Sequence, residues 1–233
     1  MDWGPSLRAA PFGLASTKAV VQLLSNPQRL ELAGIATHLR LPARTILYCE
    51  ESLADWIFIV ADGVVKAFRD LPSGKRRIMA FLFAEDVFGL VESGRYVNTV
   101  QTVTATRLYR IRLDKLMELL RHDSDLELQF LFKITHELRE SMRQRIILSR
   151  RDAEGRVAMF LSLLEHNGRR RGHALQIEIP MTRSDIANFL GLSLEAVIRA
   201  SHRLEQSGLV AFDGIHAARI LNRQRFEELV SAV

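Results

Sequence analysis

Cysteine is nearly absent from this chain: of 233 residues only Cys49 carries a thiol. A single thiol forms no intrachain disulfide, and by itself it ligates neither an iron–sulfur cluster nor a structural zinc. Long apolar runs are missing too. No stretch approaches the roughly 20 uncharged apolar residues of a membrane helix. The first 25 residues set Asp2, Arg8 and Lys18 among short apolar pieces, which is not the pattern of a secretory signal. A cytoplasmic protein with no membrane partner is expected. Histidine is scarce where a barrel-type enzyme would need it: His38, His122, His136, His166, His173, His202 and His216 all lie outside the β-rich stretch 43–112. A metal site inside a β-barrel needs several His or carboxylates converging, and no nucleophile–base pair or glycine-rich phosphate loop stands elsewhere. The expectation is no enzyme, no metal and no cofactor. Cys49 ends the run Ile46-Leu47-Tyr48-Cys49 and reads as a small apolar strand residue; a redox role would need an exposed, acidic thiol.

The apolar content of 48% suffices for one large core or two modest ones. Net charge is +5, and its placement is uneven. Residues 143–233 hold 14 Arg and no Lys against 10 acids, whereas the first 142 residues hold 18 basic against 17 acidic. The basic excess sits at the end, where a phosphate backbone would attract it, although many basic faces are merely solvated.

Three regions follow along the chain. Residues 1–112 begin with short helices over 17–40, with Asn26-Pro27 as a start signal. Short β-rich runs follow: Trp56–Val60, Val64–Phe68, Arg77–Phe81, Thr99–Val103 and Leu108–Ile111. Turns at Ala61-Asp62-Gly63 and Leu71-Pro72-Ser73-Gly74 separate them, as in a sandwich or barrel. Residues 113–150 read as continuously helical. The early part is apolar nearly all round (Leu126, Leu128, Phe130, Leu131, Phe132), as if packed on the β domain. The later part narrows to the stripe Leu131, Ile134, Leu138, Met142 and Ile146. Such a stripe on a charged helix suits a seam between two copies, the alternative being packing within one chain. In 151–233 a new amphipathic helix starts near Arg156 and ends at Asn167-Gly168. The polar run Arg169-Arg170-Arg171-Gly172 reads as a loop and Leu175–Ile179 as a strand.

The segment Met181–Leu204 is the most informative. Thr182 with Asp185 is a capping pair, Gly191 breaks the first helix, and Ser193 caps a second that carries Val197, Ala200 and Leu204 inward. Ala187 supplies the small residue at the helix crossing, Gly191 the left-handed turn and Val197 the apolar anchor ten residues after Ala187. That combination is a helix-turn-helix. Glu195, Ile198 and Arg199 share the outward face of the first two turns, the part that enters a major groove. Arg can hold guanine, Glu can accept from a cytosine amino group, and Ile198 offers only apolar contact, for which a thymine methyl is the natural partner. The alternatives are a helix-start dipole contact for Glu195 and a solvated residue for Arg199. Thr182, Arg183 and Ser193 border the same surface, and His202 and Arg203, one turn further, point to phosphate. Leu209–Phe212, a turn at Asp213-Gly214 and Ala218–Leu221 read as a hairpin wing.

The run MTRSDIANFLGLSLEAVIRASHRLEQSGLV resembles the helix-turn-helix of the CRP/FNR superfamily, and of its FNR/FixK branch in particular. LADWIFIVADGVVKAFRDLPSGKRRIMAFLFAEDVFGL is similar to that family's effector domain. The resemblance covers roughly residues 25–230. It implies an α+β protein: a cyclic-nucleotide-binding-like β-roll, a dimerisation helix and a C-terminal winged helix-turn-helix. Partners would be double-stranded DNA, a second copy and RNA polymerase, the last leaving no readable motif. Glu195 and Arg199 match the family's E-x-x-S-R base-reading motif and imply TTGA-like half-sites; Ile198 departs from its Ser. FNR-type members hold an iron–sulfur cluster on four cysteines, which one cysteine excludes. CRP-type members bind cyclic AMP through Gly-Glu and Arg-Ser pairs. Here Val87-Phe88-Gly89-Leu90 and Arg95-Tyr96-Val97-Asn98 keep the Gly and Arg but lose the Glu and Ser. Two β-roll turn glycines are also replaced, by Glu51 and Glu85. The expectation is a regulator without a cyclic nucleotide; the alternative is a ligand- or haem-gated sensor, with Cys49 its one candidate thiolate.

Overall fold

The computed structural model describes residues 4–9, 21–149, 152–170 and 176–231. It divides into two compact units, Met1–Arg69 with Met79–Ser141, and Asp70–Ile78 with Met142–Val233.

In the first unit a short pair, β1 (Arg8–Ala9) and β2 (Val21–Gln22), precedes α1 (Asn26–Ile35). A capping box starts α1: the Ser25 side chain accepts from the Gln28 backbone N–H, and the Gln28 side chain accepts in return from the Ser25 N–H. Helix does not continue to residue 40, as the sequence suggested. Ala36–Leu41 forms β3, because Leu39 and Leu41 alternate onto an apolar interior while the backbone pairs with β10 (Thr106–Arg112). The roll is completed by β4 (Ile46–Tyr48), β5 (Trp56–Asp62), β6 (Val65–Asp70), β7 (Arg76–Leu82), β8 (Val87–Phe88) and β9 (Thr99–Thr102). They form two four-stranded sheets, ordered β3-β10-β5-β8 and β4-β9-β6-β7.

The central strands are buried on both faces, so their sequences read as continuous apolar runs. In β5, Phe58 and Val60 enter the roll interior, while Ile57 and Ile59 join Leu32, Leu116, Leu126 and Phe130 in a second core. In β10, Leu108 takes the first side and Ile111 the second. Period-two alternation thus divides one strand between two cores.

The helical region is interrupted. α2 (Leu113–His122) and α3 (Ser124–Ser149) part at Asp123. Asp123 leaves the helical region (φ −130°, ψ 96°), and its carboxylate accepts from the Leu126 N–H at 2.8 Å, restarting the helix. Early α3 is also less buried than expected. Leu126 and Phe130 are in the core, but Leu128, Leu131 and Phe132 are exposed, because a helix presents only one side to a single core. The buried side continues with Lys133, whose Nζ meets Asp86 at 3.6 Å and Glu137 at 2.6 Å. Leu131, Ile134, Leu138, Met142 and Ile146 lie on the exposed side, 36–62% accessible.

The second unit is built on α4 (Ala153–Arg170), α5 (Arg183–Leu190), α6 (Leu194–Gln206) and α7 (Arg223–Ser231). Its three-stranded sheet runs β11 (Ile177–Glu178), β13 (Ala217–Ile220), β12 (Val210–Asp213). Asp152 caps α4 through the Gly155 N–H. Contrary to the sequence reading, α4 runs through Asn167-Gly168, and the Asn167 side chain donates to Leu163 O at 3.1 Å. Arg171, Gly172 and Leu175 of the expected loop and strand lie outside the described residues. Cys49 is exposed and follows β4, so it lies just past the strand to which the sequence assigned it. No described helix is long and apolar enough to cross a membrane.

Candidate nucleic-acid interface

Two capped helices and a tight turn form the core of the second unit. The Thr182 hydroxyl accepts from Asp185 N–H at 3.0 Å and starts α5. Gly191 ends it at φ 64°, ψ 37°, a left-handed conformation that a side chain would strain. Its N–H and that of Leu192 both reach Ala187 O. Ser193 then caps α6, accepting from Ala196 N–H at 3.1 Å. Buried Ile186, Ala187, Phe189 and Leu190 on α5 and Val197, Ala200 and Leu204 on α6 supply the packed faces. α4 backs them: Phe160 lies 5.5 Å from Phe189 between ring centroids, and Arg156 donates to Leu190 O at 2.9 Å, satisfying a carbonyl at the end of α5.

With that side buried, α6 presents Glu195, Ile198, Arg199 and His202 to solvent. Hydrogen bonds from its own N–H and from the Ser193 hydroxyl, with Arg199 nearby, hold the Glu195 carboxyl below its ordinary value. The helix-start contact is therefore present, and Arg199 follows four residues on along the same exposed face. Thr182 and Ser193 have their hydroxyl oxygens engaged in caps. Arg183 is half-buried: its guanidinium lies 5.1 Å over the Phe212 ring of β12, and burial lowers its pKa. Arg203, expected at phosphate, pairs with Glu154 at 3.1 Å through one guanidinium nitrogen and is 65% exposed.

Three residues escaped the sequence reading. Leu194 opens α6 and is exposed, one turn before Ile198. Glu205 accepts from Phe212 N–H at 3.3 Å, so Arg183 and Glu205 together fix the wing to the helix pair. Arg156 caps α5 from 34 residues away, which no local pattern reveals.

In the β-roll, the segments expected to resemble a nucleotide site are packed with aromatics. Tyr96, standing where the family has Ser, stacks on Tyr48 with centroids 3.6 Å apart and planes 12° apart. Its hydroxyl donates to Trp56 O at 2.7 Å. Phe58 and Phe88 stack at 5.2 Å beside them. Burial raises the pKa of both tyrosines. Gly89 keeps φ 88°, and a Cβ there would come within 2.9 Å of Trp56 O. Arg95 donates to Glu51 O at 2.6 Å and is exposed. Glu51 and Glu85 do occupy left-handed turns, φ 66° and 75°. Among the described residues no group of three or more His, Cys, Asp or Glu could hold a metal.

The two units match two known domain models: the cyclic nucleotide-binding domain over residues 38–123 and the Crp-like helix-turn-helix domain over 155–229. The chain belongs to the CRP/FNR family of DNA-binding transcriptional regulators, on its FixK-like side. It is similar to the structure of FixK2 from Bradyrhizobium japonicum, with 30% identity and a TM-score of 0.78, covering 85% of this chain and 99% of that one. It is 29% identical over 205 residues to the transcriptional activatory protein AadR of Rhodopseudomonas palustris, covering 87% of this chain and 84% of the relative. The transcriptional activator protein Anr of Pseudomonas protegens is 30% identical over 163 residues, 69% and 67% of the two chains.

Proposed function

We propose that this regulator binds DNA as a homodimer, reading a pseudo-palindromic site with TTGA-like half-sites. In this reading Arg199 holds guanine and Glu195 accepts from a cytosine amino group. His202 and the cap residues Thr182 and Ser193 lie toward phosphate. Arg203 keeps guanidinium donors for phosphate beside its exposed pair with Glu154, and Arg183 acts chiefly by holding the wing. The observation that carries the reading is the pairing of Glu195 and Arg199 on the solvent face of a helix whose opposite face is buried. The exposed stripe Leu131, Ile134, Leu138, Met142 and Ile146 is the surface on which a second copy would close, since five apolar side chains in one row gain by burial. The aromatic filling of the roll supports action without a cyclic nucleotide, and the single exposed Cys49 supports action without an iron–sulfur cluster. Bound DNA lies in the cytoplasm, where RNA polymerase is the machinery to be recruited or blocked.

Selection of bound sequences from a random duplex pool tests this directly. The expected product is two inverted half-sites with centres about 10 base pairs apart. An unsymmetrical consensus, or no enrichment at moderate salt, would refute it.

A further inference from the structure

The solvent face of α6 has an apolar edge. Ile198 is 42% exposed and Leu194, one turn before it, 40%, on a helix that hides Val197, Ala200 and Leu204. In a major groove such an edge meets base atoms that are nearly all donors or acceptors. An aliphatic side chain pressed on one of those leaves it without a partner, at a cost in affinity. The apolar group available there is the methyl on C5 of a pyrimidine. Thymine carries it, and so does 5-methylcytosine. These bases differ at C4, a carbonyl oxygen against an amino group, and Ile198 has no polar side-chain atom with which to tell the two apart.

Resting on the DNA-reading role above, we propose that Ile198 makes this protein a reader of the C5 methyl group itself. Affinity then follows the methyl whichever pyrimidine bears it, and cytosine methylation strengthens binding at the position Ile198 touches. Arg199, adjacent in the chain and on the same outward face, sets the register, so the methyl-bearing base lies next to the guanine that Arg199 holds.

The test uses the full chain and fluorescent duplexes carrying the selected site. Each thymine is exchanged in turn for uracil, which removes the methyl alone. At the sensitive position, cytosine is then compared with 5-methylcytosine, which adds the methyl alone. One methyl buried is worth about fourfold in affinity, or about sixteenfold when both half-sites change. Thymine over uracil and 5-methylcytosine over cytosine are expected to show that same factor. Ile198→Ser should bring both ratios to one at that position while the protein still binds the duplex, and Ile198→Val should keep them. Because Ile198 is 42% exposed and lies outside the buried face of α6, the Ser variant should still unfold cooperatively, within a few degrees of the wild type. Specific binding that is blind to the methyl, or a methyl effect that survives Ile198→Ser, overturns this inference alone. Failure to bind any selected duplex overturns it together with the DNA-reading role beneath it.

Discussion

Replacing Leu138 with glutamine removes apolar surface from the middle of the α3 stripe and leaves untouched the side that carries Leu126, Phe130 and Lys133. Complete burial of a leucine side chain is worth about 1.5–3 kcal/mol. Leu138 is 54% exposed, so covering the remainder contributes about half of that, roughly 0.8–1.6 kcal/mol per copy. A twofold interface repeats the loss in both copies. The association free energy should fall by about 1.6–3.2 kcal/mol, a change of about 15- to 200-fold in the dissociation constant. Sedimentation equilibrium over a concentration series reads this constant, and a parallel titration of a two-armed duplex reads its consequence. The DNA curve should move to higher protein concentration and steepen, because dimerisation then limits binding. An unchanged dissociation constant, with wild-type DNA affinity, would show that the copies do not meet along this row.

Arg199→Ala should cost about 1–3 kcal/mol on the selected site and leave random DNA unaffected; parallel titrations at one salt concentration check this, and equal losses on both would remove Arg199 from base reading. Tyr96→Ala deletes a ring stacked on Tyr48 and should destabilise the first unit by about 3–5 kcal/mol in urea denaturation; a loss below about 1 kcal/mol would mean that the ring does not fill the roll. Glu51→Gly should stabilise. The left-handed backbone at φ 66° costs a non-glycine residue about 1–2 kcal/mol, and the freedom of glycine returns about 0.5–1 of it. The net gain, about 0.5–1 kcal/mol, raises the melting temperature by about 1–4 °C. Glu85→Gly should gain less, because Glu85 accepts the Ser6 hydroxyl at 3.0 Å.

The helix-turn-helix was legible because each of its determinants acts within a few residues. Thr182 and Ser193 cap helices whose first N–H groups lie three residues on, Gly191 supplies the one conformation that turns the chain, and the buried positions of α6 follow a 3.6-residue period. Asp123 was legible in principle by the same logic: a short carboxylate that caps the Leu126 N–H is a helix start, and it stood inside a pattern whose apolar continuity concealed it. The apolar residues of early α3 misled for a related reason. Composition says that a side chain is hydrophobic, not whether its cover comes from the same chain. Among the described residues, Leu128, Leu131 and Phe132 are covered only in part, 44%, 62% and 50% exposed.

The β-roll was legible only in outline, and the difference lies in sequence distance. Tyr48 and Tyr96 meet across 48 residues, and Phe58 and Phe88 across 30, through pairings of β4 with β9 and of β5 with β8 that no local period encodes. Comparison with a family motif could say that Tyr96 stands where a serine was expected. It could not say that the ring would turn inward and stack on Tyr48. The same holds for Glu51 and Glu85: their departure from glycine was visible, but that the backbone still adopts the glycine conformation is a property of turns held by distant partners, Tyr96 O for the Glu51 N–H and Val60 O for the Glu85 N–H. A roll that keeps these turns against their strain while filling its interior with four aromatic rings has retained its shape without the polar pair that would hold a phosphate. A feature this shape supports directly is α3, pinned through Leu126, Phe130 and the buried Lys133–Asp86 pair with its apolar row facing outward.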